Sequence, residues 1–247
     1  MSGARHRGGT SIRASRVPRR KVTMTEPEPD EFMARLGQAD RAALAAQGRR
    51  RQWPAGASLY LEGESCTTVL IVVSGRVKVF SLTADGEEIL LAVRGPGSLL
   101  GELSAVDGAP RSASVAALEP VVALVVPIAA FADYLRSHGD AAIVLLQLVT
   151  GRLRDADRKR VEAAAFDIPG RVARRLVELA ERFGEPDGQG VRIGVALSQD
   201  ELAGWVGASR EAVAKALRVL RDRGFVTTGR RTMTVLDLDG LRRRAGA

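Results

Sequence analysis

Residues 197–223, LSQDELAGWVGASREAVAKALRVLRDR, constrain the chain more than any other stretch, because they spell two helices joined by a sharp turn. Ser198 with Glu201 three residues later is a capping-box pattern, in which each side chain satisfies a backbone N–H left open at a helix start. Leu202, Ala203 and Val206 give this first helix an apolar face. Gly207-Ala208 supplies the turn, and Ser209 is placed to cap a second helix. There Val213, Leu217 and Leu220 recur at helical spacing and turn inward. Arg210, Glu211, Ala214, Lys215 and Arg218 are left on the outer face near the N-terminal end. A recognition helix offers such a face to base edges in a major groove. An ordinary helical hairpin with a solvated charged face shows the same local pattern.

Charge supports the first reading only in part. The formal net charge is +8, but residues 1–23 carry seven Arg or Lys and no acid, so the remainder holds only +1. From Ser198 onward ten Arg or Lys face six Asp or Glu, a local excess of +4. The stretch 1–26 has no apolar run and reads as a disordered basic tail, neither signal peptide nor anchor. Met24 is an alternative start, and the tail is a candidate non-specific DNA-contacting arm. Aromatics make up 4%, too few for a row of base-stacking side chains. One cysteine, Cys66, precludes an internal disulfide, and two histidines, His6 and His138, leave no set for a zinc site. No metal is expected. No apolar segment reaches about 18 residues free of charge and proline, so no membrane span is expected.

Ahead of the two-helix unit the pattern changes three times. Residues 27–51 read as a helical lead-in, with Phe32, Leu36, Leu44 and Ala45 as its apolar positions. From Trp53 to about Val126 short β-rich runs alternate with Gly, Asp-Gly and Pro punctuation, and Asp85-Gly86 is a hairpin signal. That spacing predicts an antiparallel barrel or jelly roll, with no parallel βαβ rhythm. Residues 141–165 predict one long helix with a stripe at Ala142, Leu146, Val149, Leu153 and Ala156 that falters at Arg160. Steps of four and three form the seam of a two-helix coil, or a face packed on the chain's own barrel. Asp167-Ile168-Pro169-Gly170 breaks this helix and marks a hinge. Another helix, 171–183, leads into the two-helix unit. A β-wing follows, with Arg230 and Arg231 at a tip where phosphates are within reach. The domains are thus 1–26 tail, 27–140 barrel, 141–166 dimerisation helix and 167–247 winged helix-turn-helix, an α+β architecture.

A second constellation lies in the barrel: Gly101-Glu102-Leu103-Ser104, then Arg111-Ser112-Ala113. A cyclic phosphodiester needs a fixed cation, hydroxyl and N–H donors, and its ribose needs an acceptor. Arg111 and Ser112 supply the first set and Glu102 the acceptor, aided by N–H groups if a short helix starts near Gly101. A merely structural Arg111–Glu102 ion pair is the competing reading. Gly95, Gly97 and Gly101 are wrongly spaced for a dinucleotide fingerprint.

Barrel, GELS and RSA cassettes, long helix, FDIPGR hinge and winged helix-turn-helix, in that order, resemble the cyclic-AMP receptor protein (CRP/FNR) family of bacterial transcription factors. The likeness covers about residues 31–241, and VGASREAV with FDIPGRVA is similar to its actinobacterial branch. It implies a cytoplasmic homodimer on a pseudo-palindromic double-stranded operator, with RNA polymerase as a partner and no enzymatic activity. It implies a cyclic nucleotide, most readily cAMP, as effector, with no required cofactor. By position Gly101 and Glu102 would meet the ribose, Arg111 and Ser112 the cyclic phosphate, and Arg210 and Glu211 a guanine and a cytosine. Lys215 stands where an Arg is usual, turning a bidentate guanine contact into a single-point one. Ala156 and Asp157 replace the Thr-Ser pair that reads adenine across the dimer. Asp157 accepts only, which suits adenine's amino group or guanine's N1–H and amino group. Cyclic GMP, cyclic di-GMP or effector-independent binding therefore stand as alternatives.

Overall fold

A computed structural model describes residues 31–188, 190–229 and 231–246; the basic tail and Arg230 lie outside the described residues. Two short helices, α1 (Phe32–Arg35) and α2 (Gln38–Ala46), form the lead-in. Phe32, Met33, Leu36 and Leu44 are buried with Val69, Ile71 and Leu99 of the barrel. The lead-in is shorter than expected, because Arg49–Trp53 form a strand, β1. Three consecutive arginines carry no alternation, so nothing local marks a strand. Antiparallel pairing imposes one, with Arg49 opposite Val125 and Trp53 opposite Val121.

The barrel continues through β2 (Ser58–Tyr60), β3 (Thr68–Ser74), β4 (Val77–Leu82), β5 (Glu88–Arg94) and β6 (Leu99–Leu100). After a short helix, α3 (Glu102–Asp107), it closes with β7 (Ser114–Ala117) and β8 (Val121–Pro127). Two four-stranded sheets result, ordered β1-β8-β3-β6 and β2-β7-β4-β5, as the jelly-roll reading requires. The Asp85-Gly86 turn joins β4 to β5, with Gly86 at φ +82°. Strand β3 explains why TVLIVVS reads as a continuous apolar run. Leu70 and Val72 face the inter-sheet core, while Val69, Ile71 and Val73 face the helices outside.

Those helices are α4 (Ile128–Ser137) and α5 (Gly139–Ala165). At 27 residues α5 is about 40 Å long. Ala141, Leu145 and Leu148 bury against the barrel, while Ile143, Leu146 and Leu153 stay exposed. Val149 leans toward the barrel core. The face packed on the barrel is thus Ala141, Leu145 and Leu148, and the stripe's Leu146 and Leu153 lie exposed on an adjacent face of the same helix.

The break after α5 is narrower than expected. Asp167 caps α6 (Ile168–Phe183) by accepting from Gly170 N–H at 2.9 Å, which places Pro169 and Gly170 inside the first turn. Proline there has no N–H to lose. The break reduces to Phe166 and Asp167. The winged domain adds β9 (Gly184–Asp187), β10 (Gly190–Ile193), α7 (Gln199–Val206), α8 (Arg210–Asp222), β11 (Val226–Gly229), β12 (Thr232–Val235) and α9 (Leu238–Ala245). Its sheet runs β11-β12-β10-β9. Leu176, Leu179, Leu202, Val213, Leu217, Leu220 and Leu241 fill its core.

Leu90 and Val93 of β5 belong to that same core, so the winged domain packs on its own barrel. Gly204 of α7 makes the close approach possible: any Cβ there would strike the Glu88 carbonyl. Lys78 bridges the two domains, paired with Glu88 on the barrel and with Glu201 on α7 at 2.9 Å. These bonds raise the Lys78 ammonium above its ordinary range despite burial, and help hold the Glu201 carboxyl below its own.

Candidate ligand cavity and nucleic-acid interface

Gly101 sits at φ +78°, in the left-handed region, and turns the chain from β6 into α3. A side chain there would also collide with the Arg111 guanidinium, so conformation and contact both require glycine. Arg111 is 5% exposed. Its Nη2 donates to the Thr68 carbonyl at 2.6 Å and its Nη1 to Gly101 at 3.4 Å. The guanidinium lies 4.1 Å from the Tyr60 ring centroid. Carbonyls and an aromatic face orient the cation without neutralising it. Its Nε is buried with no partner among the described residues.

The Arg111–Glu102 ion pair does not form. Glu102, buried, instead accepts from Arg152 Nη1 of α5 at 2.5 Å, and Arg152 Nη2 donates to the Leu99 carbonyl at 2.9 Å. Burial, then the Glu102 charge, raise the Tyr60 phenol far above its usual range and keep it neutral. Ser104 is committed to the Pro110 carbonyl at 3.1 Å, which closes the loop between the two cassettes. Leu103 and Ser112 are exposed and Ala113 is buried.

These residues line one wall of a cavity of about 660 Å³. Arg152, Asp155, Ala156 and Lys159 of α5 line another. Positions three, four and seven apart share a helix face, a spacing present in the sequence although only Ala156 of the four was expected here. Asp157 is not part of this wall; it is exposed and ion-paired with Arg160 at 3.5 Å. Within its own chain it does not reach the cavity where the sequence placed it.

The cavity runs on between barrel and winged domain, past Lys159, Arg175 and Trp205. Lys159 Nζ donates to the Leu91 carbonyl at 2.7 Å and lies over the Trp205 ring. Burial, with Arg175 on α6 and Arg94 on β5 nearby, lowers its pKa to about 8, against the pull of Glu178 and Asp155. A half-buried ammonium drawn partly out of water burdens the fold fully below that pH. From about pH 8 to 10.5 the folded protein sheds the proton before the unfolded chain does, so stability rises with pH. Wild type should therefore gain stability relative to Lys159→Met between pH 7.5 and 9.5 in denaturant titrations. A difference constant with pH would contradict this.

The second site is the outer face of α7 and α8. Ser198 N–H donates to Glu201 Oε2 at 2.8 Å and Glu201 N–H to Ser198 Oγ at 3.1 Å, completing the capping box. Gly207 takes φ +63° at the turn, and Ser209 Oγ accepts from Ala212 N–H at 3.2 Å. Both serines thus act first as caps, positioning the face rather than presenting free hydroxyls. Arg210, Glu211, Lys215 and Arg218 are exposed, with Ala214 half-buried among them. Arg210 makes only a loose 3.5 Å pair with Asp200 across the turn, which water screens. Hydrogen bonds at Ser209 and at its own N–H hold the Glu211 carboxyl below its ordinary range. Beyond α8, Gly229 pairs with Thr232, leaving a two-residue wing tip. Arg231 there is exposed, with φ +58°, the one non-glycine left-handed residue among those described.

Residues 50–138 match the family model described as the cyclic nucleotide-binding domain, and residues 170–244 match the Crp-like helix-turn-helix domain. A CRP-like cAMP-activated global transcriptional regulator of Mycobacterium tuberculosis is 35% identical over 222 residues, covering 87% of this chain and 99% of that protein. The cyclic AMP receptor protein of Thermus thermophilus is 32% identical over 187 residues, covering 76% and 83%. The structure of a CRP-family transcriptional regulator from Thermus thermophilus is similar with a TM-score of 0.69 at 27% identity, covering 80% of this chain and 97% of that one.

Proposed function

Since the chain belongs to the CRP/FNR family of DNA-binding transcription regulators, we propose that it is a cytoplasmic homodimer whose operator binding responds to a cyclic nucleotide, cAMP first among them. One observation carries the effector reading. Arg111 is a buried, oriented cation with no carboxylate partner and an unsatisfied Nε, beside a cavity and next to the start of α3. Leaving such a charge without a counter-ion is costly, and a cyclic phosphate on Arg111 and Ser112 supplies one. Glu102, steadied by Arg152, and Gly101 would take the ribose. Ala156 and, from across the dimer, Asp157 would border the base.

Arg210 and Glu211 are the base-reading pair in this proposal, with Lys215 as a single-point donor to guanine. Arg218 and Arg231 would meet phosphates, as would Arg230, which lies outside the described residues, and the serine caps Ser198 and Ser209 hold the face that carries Ala214. RNA polymerase is the expected protein partner at the promoter. The test is Arg210→Ala in operator titrations. Losing a bidentate guanine contact is worth about 1–3 kcal/mol in each half-site, so a dimer that loses two should lose operator affinity at least about 30-fold, with little change on random duplex. An equal loss on both would reassign Arg210 to the phosphate backbone.

A further inference from the structure

The Arg111 cradle occupies one end of the cavity, and the other end also gathers positive charge. Arg94 ends β5 and lines this interdomain arm. Its guanidinium makes one long hydrogen bond, to the Val93 carbonyl at 3.4 Å, and no ion pair among the described residues. Burial, then the charges of Arg152 and Arg182, lower its pKa to about 10. The carboxylates within electrostatic reach have other cations: Glu178 pairs with Arg175 at 2.6 Å, and Glu31 pairs with Arg182 at 2.9 Å through Oε1, its Oε2 being buried without a hydrogen-bond partner among the described residues. Lys159 lines the same arm, in a field made positive by Arg94 and Arg175. On the opposite wall the Arg171 Nε and the Trp205 Nε1 are buried and unsatisfied, Trp205 being 8% exposed.

A half-buried arm that gathers cations, leaves Arg94 and Lys159 without an ion pair among the described residues and keeps two buried N–H donors open is complementary to an anion. We propose that this arm is a second phosphate subsite, in which Arg94 and Lys159 bind the anion and Arg152 spans the two ends of the cavity. It deepens the effector reading above and rests on it for the first phosphate. The chemistry recognised is a phosphate group bordered by an indole. It is supplied either by the second phosphodiester of a cyclic dinucleotide reaching from Arg111 to Arg94, or by a separate phosphate bound beside a cyclic mononucleotide. Either anion would touch β5, α5, α6 and α7 together, the elements whose packing fixes where α8 stands.

The experiment is calorimetry in phosphate-free buffer on wild type and Arg94→Met, with three titrants. These are cAMP, cyclic di-GMP, and inorganic phosphate added to cAMP-saturated protein. Wild type should bind cyclic di-GMP or phosphate at least tenfold more tightly than R94M, while cAMP affinity changes less than twofold. The arm that shows the difference identifies the source of the phosphate. Equal affinities of the two proteins for both anions would overturn the proposal, as would an equal loss for cAMP. Without ligand, R94M should melt no lower than wild type, because a half-buried charge with no ion pair among the described residues has been removed. A lower midpoint would make Arg94 structural and overturn it too. Absence of cAMP binding by wild type would defeat the effector reading instead, and phosphate titrated alone would still report on Arg94.

Discussion

Arg111→Leu should weaken cyclic-nucleotide binding at least a hundredfold while leaving the barrel folded. The substitution removes two charge-assisted donors and the cation held at the Gly101 carbonyl, where α3 begins. Each hydrogen bond to a charged group contributes about 1.5–3 kcal/mol, so losing two reaches the roughly 2.8 kcal/mol that a hundredfold change requires. The fold cost is smaller. The carbonyls of Thr68 and Gly101 lose a donor, while leucine retains the packing against Tyr60. Arg111→Lys should fall between, because an ammonium keeps the charge but gives up the planar fork. Calorimetry with cAMP reads the effect and circular dichroism reads the fold. Unchanged affinity in a folded R111L would show that the nucleotide binds elsewhere.

The second large effect is expected from the exposed seam of α5. Leu146 and Leu153 are each 62% exposed, and Ile143 is 54% exposed. Two such leucines seven residues apart on a helix of about 40 Å form a strip that water disfavours and a second copy would cover. Leu146→Glu with Leu153→Glu places four carboxylates along that seam in a dimer. Sedimentation should then find a monomer. Operator affinity should drop by about 10²–10⁴, the gain that linking two half-site readers provides through effective concentration. A double variant that stays dimeric and binds its operator normally would remove the seam from the account.

The parts of this molecule legible from sequence are those built by local chemistry. Ser198 with Glu201, Gly207 and Ser209 announced both helices of the helix-turn-helix, because caps and left-handed turns are specified by residues within one turn of each other. Gly101 and Arg111 could be paired on spacing alone. Segments fixed by distant partners were not legible. Arg49–Arg51 are a strand only because β8 lies alongside. The β9–β10 hairpin was passed over although Asp187-Gly188 is a turn signal, since GEPD and GVRI are too short and polar to alternate. Helix α9 was missed because half of its eight residues are charged, and only Leu241 and Ala245 are buried in the core, with Leu238 packed at its edge. Pro169-Gly170 misled in the other direction, reading as a break where Asp167 makes it a first turn.

Around the cavity, the sequence brought out Gly101, Glu102 and Arg111 but not the residues that support them. Arg152 lies 50 residues from Glu102, and an isolated arginine on a charged helix gives no sign of its partner. The choice of Arg152 over Arg111 as that partner turns on geometry: Arg111 is held by the carbonyls of Thr68 and Gly101 and stays available. The docking of α7 on β5 was equally hidden. Gly204 inside a helix reads as a weak point, and only the Glu88 carbonyl against it explains the missing side chain.

The account rests on a single coupling, between an anion held at Arg111 and the duplex contacts of α8. Selection from random duplexes by the full-length protein, with and without cAMP, tests it most directly when R111L is run beside wild type. Wild type should enrich a pseudo-palindrome whose half-site centres lie about 34 Å apart, with recovery that changes when cAMP is added, while R111L recovers the same with and without it. Enrichment of one operator by wild type at equal recovery in both conditions, or no enrichment in either, would contradict it.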